Sequence, residues 1–250
     1  EEVIPRFDLL VVDEAQDVLT SSTVEVLSEI VNGGIEGGQW LMLLDSNNQA
    51  TIYNRFDSVL FERLRTFARS QFLTVNCRNT REVAHHTNLM AQPSVAGQGR
   101  VDGLPVEFIS FASGKDPLGK LNEVLAQLKK AGIPGGRITV LLARAPEQRD
   151  QSRLSSLGLE PLRQDNISHF GTGSVTMWAV VSGFKGLEND VIVLVGIEDV
   201  DSEWWKAVCY VGMSRARTRL YVLLTKECEQ IRKQRWEAHL ESVIEQDRTK

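Results

Sequence analysis

Short continuous apolar runs alternate along this chain with stretches of helical periodicity. Runs of strand length stand at Phe7 to Asp13, Trp40 to Asp45, Phe72 to Val75, Val106 to Phe111, Ile138 to Ala143, Val175 to Val181, Val191 to Val195 and Leu220 to Leu224. Helical spacing fits Thr23 to Val31, Val59 to Arg69, Arg81 to Met90, Leu118 to Ala131, Glu147 to Leu157, Glu203 to Ala216 and Cys228 to Gln246. Continuous apolar strands joined by helices run parallel and are covered on both faces. The pattern therefore predicts an α/β, doubly wound parallel fold with strand-end loops free for chemistry. Small residues, Gly and Pro between Ala91 and Gly103 mark a loop, and Pro134, Gly135 and Gly136 mark a turn. Two sheet units are expected, residues 1–69 and 70–250.

Composition narrows the class. A chain of 250 residues, 42% hydrophobic and 24% charged, can bury one large core or two smaller ones, and no segment reads as disordered. A net charge of −5 gives no global attraction to nucleic acid, so strand binding would need a local basic groove. No apolar run reaches the roughly 18 to 20 residues of a membrane span, and the start has no basic region leading into an apolar stretch. The expectation is a cytoplasmic protein with no membrane partner. Cys77, Cys209 and Cys228 are widely spaced and odd in number, which suits free thiols better than a disulfide framework or paired metal ligands.

The segment Leu9 to Asp17 carries the most chemistry. Four apolar residues, Leu9 to Val12, deliver Asp13 and Glu14 to the carboxyl end of a strand, where open α/β sheets place ligands. A carboxylate there can hold Mg²⁺ while its neighbour orients and deprotonates an attacking water. An acidic turn entering a helix whose amino end favours Asp and Glu would look the same.

The string Asp13, Glu14, Ala15, Gln16, Asp17 resembles the Walker B motif of UvrD/Rep-like superfamily 1 helicases, and later segments resemble that family's motifs in order. Leu43 to Gln49, followed by Ile52 and Tyr53, is similar to the third motif, with Leu44 in place of glycine and one extra residue before the glutamine. The resemblance implies that Gln49 senses the γ-phosphate. Leu73 to Thr80 is similar to the fourth motif, whose arginine, Arg78 here, reaches that phosphate; Cys77 replaces the aromatic that stacks on adenine. Ser182 to Glu188 is similar to the fifth, with Gly186 allowing close backbone approach to phosphate and Glu188 accepting from the ribose. Cys209 to Arg217 is similar to the sixth, which makes Arg215 the arginine finger, with Arg217 and Arg219 left as surface or structural residues.

The resemblance implies two RecA-like domains of the P-loop NTPase class, a site for ATP and Mg²⁺ in the cleft between them, and single-stranded nucleic acid as partner, DNA favoured over RNA. It makes Asp13 the metal ligand, and Glu14, Gln49 and Arg215 catalytic. No Gly-x-x-x-x-Gly-Lys-Ser/Thr sequence occurs, so the cradle for the β- and γ-phosphates is missing. In the family that loop precedes Walker B. The chain is therefore expected to begin inside the first domain, whose missing amino-terminal half carries the loop, and to hold the second domain whole. Only a helix and a short connection fit between Ala143 and Val175, which implies a compact motor without the family's large insertion; compact members also occur fused to nucleases. A degenerate module that senses nucleotide or binds partners without moving along a strand is the competing expectation. Trp178, Trp204 and Trp205 fit either base stacking or core packing, and just after the third motif Phe56 is the nearest candidate for stacking on a base, with Tyr53 read as internal. Without the phosphate cradle, the 250-residue chain is expected to bind ATP poorly and hydrolyse almost none; magnesium-dependent phosphate release by the purified chain would contradict this.

Overall fold

The computed structural model describes residues 4–45, 57–93 and 97–248. The chain divides into two compact units, Glu1–Leu73 and Thr74–Lys250.

In the first unit, β1 (Leu9–Val12) and β2 (Gln39–Met42) pair in parallel, Leu9 opposite Gln39 and Val12 opposite Met42. The crossover helix α1 (Ser21–Ile30) starts at Thr20, whose hydroxyl accepts from the Thr23 amide and satisfies a donor the first turn leaves unpaired. A single helical turn, Gly34–Gly37, leads into β2. Helix α2 (Ser58–Arg65) is capped by Asp57, whose carboxylate accepts from the Val59 and Leu60 amides. Side chains alternate along a strand. Leu10, Val12, Trp40 and Met42 accordingly pack with Leu19, Val31, Ile35 and Leu64. Leu9, Val11, Leu41 and Leu43 point the other way and are 45 to 57% exposed. Among the described residues the helices of this unit cover one face of its two-stranded sheet, where strands covered on both faces were expected.

The second unit opens with two short strands, β3 (Val75–Asn76) and β4 (Gln98–Gly99), paired with each other around α3 (Arg81–Ala91). Six further strands follow: β5 (Glu107–Phe111), β6 (Ile138–Leu142), β7 (Leu159–Pro161), β8 (Thr176–Val180), β9 (Asn189–Ile197) and β10 (Ala216–Thr225). They form one parallel sheet in the order β5-β10-β9-β6-β8-β7. Helices α4 (Leu118–Lys130), α5 (Gln148–Ser156), α6 (Glu203–Met213) and α7 (Lys226–Arg248) complete the unit. Central strand β9 is buried on both sides. Val191, Val193 and Val195 join Leu121, Val124 and Leu128 of α4 and Leu154 of α5. Ile192 and Leu194 face the opposite layer, where α6 lies against Leu194. This unit is α/β with helices on both faces of a parallel sheet, the arrangement expected of a RecA-like domain.

Several boundaries differ from the sequence pattern. The strand expected at Phe72 to Val75 shrinks to Val75–Asn76 outside the main sheet, with Phe72 and Leu73 exposed. Strand β7 has no apolar run to mark it, being three residues long and containing Pro161, a residue an edge strand tolerates. Helix α6 stops at Met213, and β10 starts at Ala216, well before the apolar run at Leu220. Among the described residues no helix is long and apolar enough to cross a membrane.

Gly212 sits where α6 presses on the sheet: a Cβ there would stand 2.8 Å from Leu194 Cδ1 and 3.3 Å from Val181 Cγ2. Both neighbours are fully enclosed. Gly212→Val is expected to destabilise the second unit by about 1–3 kcal/mol through overpacking, read as a lowered urea midpoint.

Candidate functional site

In the first unit, Asp13 and Glu14 follow β1 directly and are exposed. Glu14 adopts the left-handed conformation, φ 51° and ψ 40°, which costs a non-glycine residue about 1–2 kcal/mol. Its surroundings hold it there. The Glu14 amide donates to Asp13 Oδ1 at 2.9 Å, and Ala15 N donates to Leu43 O at 2.9 Å. Gln16, only 1% exposed, donates from Nε2 to Glu14 Oε2 at 2.5 Å and accepts the Asp45 amide on Oε1 at 3.1 Å. One buried side chain thus fastens the acidic end of β1 to the segment leaving β2. Left-handed non-glycine residues fixed in this way cluster at functional sites. Gln49, Tyr53 and Phe56 lie outside the described residues.

In the second unit, three segments far apart in sequence meet at the amino ends of β9 and β10. Glu188 immediately precedes β9, Arg215 immediately precedes β10, and the Asn189 amide donates to Arg215 O at 3.1 Å. The loop after β3 reaches the same place. Arg78 Nε stands 2.7 Å from Glu188 Oε2, and buried Asn79 donates from Nδ2 to both Ser214 O, at 2.9 Å, and Ala216 O, at 2.5 Å. Asn76 shapes this loop by accepting the Arg78 and Asn79 amides on Oδ1, each at 3.0 Å. Gly186, at φ 76°, turns the chain toward Glu188 in a conformation that glycine adopts without strain.

The arginines at this end differ in exposure. Arg78 is exposed alongside Glu188, and an ion pair so open to water is worth about 0–1 kcal/mol. A competing anion could therefore displace Glu188 at small cost. Arg215 is 4% exposed, and its Nε donates to Val211 O in the last turn of α6 at 3.1 Å. Arg217 is the exposed arginine of that turn, its Nε 3.8 Å from Glu188 Oε1 and 3.7 Å from Asp190 Oδ1. Cys77, where the resemblance expects an aromatic, is exposed; Cys209 and Cys228 are buried free thiols, and burial pushes the Cys209 thiol up to about 12.

No protein-family model matches this sequence, and no curated protein does. Among solved structures, one that is similar is the C-terminal domain of a possible DNA helicase from Lactobacillus plantarum WCFS1. It is 11% identical with a TM-score of 0.42, and the match covers 60% of this chain and 88% of that one. The α/β assignment stands on the strand pairing of the second unit.

The three tryptophans divide between roles. Trp205 is buried, Trp178 packs partly against the main core, and Arg144 lies over the rings of Trp204 and Trp205, 5.5 and 5.1 Å from their centroids. Nothing local to the motif strings singles out Gln16 or Asn79. Both stand inside the motif strings, but what each one tethers lies 29 to 137 residues away. Asn79→Ala would leave two buried carbonyls without this donor. It is expected to cost about 1–3 kcal/mol and to speed amide exchange across residues 214–217, whereas an unchanged exchange pattern there would remove Asn79 from its tethering role.

Proposed function

We propose that this chain is the C-terminal part of an ATP-dependent DNA helicase or translocase of the UvrD/Rep-like kind. The observation that carries the proposal is the meeting of Arg78, Glu188 and the Arg215 turn at one end of the second unit's sheet. Motifs four, five and six of the resemblance are those three segments. Mg²⁺-ATP would supply the phosphoanhydride bond whose cleavage drives the cycle.

In this reading the first unit's carboxylates handle metal and water. Asp13 offers a hard oxygen ligand at a strand's carboxyl end, a donor that suits Mg²⁺, which commonly takes one or two carboxylates and fills its shell with phosphate and water. Glu14, oriented by Gln16, takes the proton of the attacking water. The second unit handles phosphate charge. Arg78 exchanges Glu188 for a phosphate oxygen, and the released Glu188 carboxylate is then able to accept from a ribose hydroxyl. Gly186 keeps the backbone beside it open. Arg215 stabilises charge as the bond breaks, which requires its turn to rearrange from the buried position; Gln49 senses the γ-phosphate.

The burial of Arg215 favours a second reading, in which the fold persists as a nucleotide-sensing or interaction module that does not translocate. Turnover separates the two. In a polypeptide that joins this chain to a phosphate-binding loop, ATP hydrolysis should rise on adding single-stranded DNA. Arg215→Ala should lower kcat by about 10³ or more, and Glu14→Gln by about 10² to 10⁴. Hydrolysis indifferent to both substitutions would refute the motor, and a complete absence of hydrolysis would leave the module.

A further inference from the structure

Three of the chain's four histidines meet where α3 packs on α7. His85 and His86 of α3 have ring centroids 5.7 Å apart. The His85 ring lies 4.8 Å from that of His239 and 5.1 Å, edge-on, from that of Trp236, both on α7. His86 stacks on Trp236 at 5.1 Å with 23° between the planes, and its other side meets Phe108 of β5 at 5.1 Å. Two ring nitrogens, His85 Nε2 and His86 Nδ1, are buried without a hydrogen-bond partner. A neutral imidazole can leave its acceptor nitrogen unpaired, but a protonated ring has two donors to satisfy and a charge to bury.

The charged groups facing the seam offer such a charge little help. From α7 come Arg232 and Glu229, and β5 contributes the uncharged Phe108 ring. Arg232 occupies both Glu229 oxygens, at 2.7 and 2.8 Å, and lies 4.2 Å over Phe108; Lys233 is 3.7 Å from the same carboxylate. A proton on His86 would therefore sit beside His85 and Arg232, with Glu229 already engaged. The Trp236 face attracts a charged ring, yet the opposing influences prevail. Burial, then His85 and Arg232, hold His86 down to about 4 despite Glu229, and burial followed by His239 lowers His85.

We propose that the α3–α7 seam is a proton-operated latch: protons taken up by His85 and His86 release α7 from α3 while the six-stranded sheet stays folded. The sheet has its own core, built from β-strand residues with α4 and α5. Helix α7 meets α3 through this seam and through Arg235, whose Nη1 donates to Met90 O at 3.0 Å; its Nη2 donates to Val200 O, ahead of α6, at 3.1 Å, and α7 also packs on β5 and β10. The direction follows from linkage. Both rings bind protons more weakly when docked than when free, so docking is fully favoured above the free value of 6.5. It weakens as pH falls below that value, by up to tenfold in the docked ratio per pH unit for each histidine that takes up a proton, and for His86 this continues down to about 4. Helix α3 runs on directly from Arg78, Asn79 and Thr80, so the latch adjoins the arginine loop. It rests on packing and is independent of the nucleotide reading.

Hydrogen exchange on the 250-residue chain between pH 7.5 and 4.5, corrected for intrinsic rates, tests this. Amides of α7 from Ile231 to His239 should exchange at least tenfold faster at pH 5 than at pH 7, with β9 and β10 unchanged. The double substitution H85F/H86F should abolish that dependence. The latch is refuted if α7 protection ignores pH, if sheet and helix open together, or if the double variant behaves as wild type. Should the variant not fold, an NMR titration of the wild-type rings decides: midpoints clearly below 6.5 for both support the latch, and a midpoint at or above 6.5 for either overturns it.

Discussion

Buried carbonyls at the amino ends of β6 and β10 need donors, and meeting that need organises the second unit. Asn79 supplies Ser214 O and Ala216 O. Asn189 supplies Gly136 O from its side chain and Arg215 O from its backbone, and also donates to Thr139 Oγ1 at 2.9 Å. An unpaired buried carbonyl costs about as much as a lost hydrogen bond. Because these donors come from the loop after β3 and from the first residue of β9, satisfying the backbone also brings Arg78 and Glu188 to the turn that carries Arg215. The charged side chains converge as a consequence of neutral hydrogen bonding.

The first unit solves a related problem with one glutamine. Glu14 is held in an unfavourable backbone conformation by contacts on either side, and Gln16 joins its carboxylate to the exit of β2. The strain is local and the restraint is buried. Such a combination fixes the direction of an exposed acid without burying the acid itself.

Exposure sorts the remaining polar groups. Arg78 and Glu188 pair in the open, where solvent screens them and exchange of partners is easy. His85 and His86 are half-buried, each with one ring nitrogen enclosed and without a hydrogen-bond partner, where a change of charge is expensive. The first arrangement suits reversible ligand exchange and the second a conformational response. They stand at opposite ends of the same stretch of chain, the loop and body of α3.

Much of the fold was legible in the chain's apolar pattern. The runs at Val106, Ile138, Val175, Val191 and Leu220 all became strands of the parallel sheet, because continuous Val, Ile and Leu is what burial on both faces requires. Candidate residues were legible as well, since each sits in a short string whose chemistry is local. The uncovered face at Leu9, Val11, Leu41 and Leu43 was not legible, because a strand's own sequence does not say which layers lie on it. Strand β7 and the short β3 were decided by pairing partners, and the burial of Arg215 by how α6 ends against β10. Sequence by itself determined which residues carry charge and which longer apolar runs become strands of the main sheet, properties set within a few neighbouring positions. Tertiary structure alone decided that Gln16 and Asn79 hold the candidate residues in place and that three histidines share a seam, because those contacts join positions that only the folded chain makes adjacent.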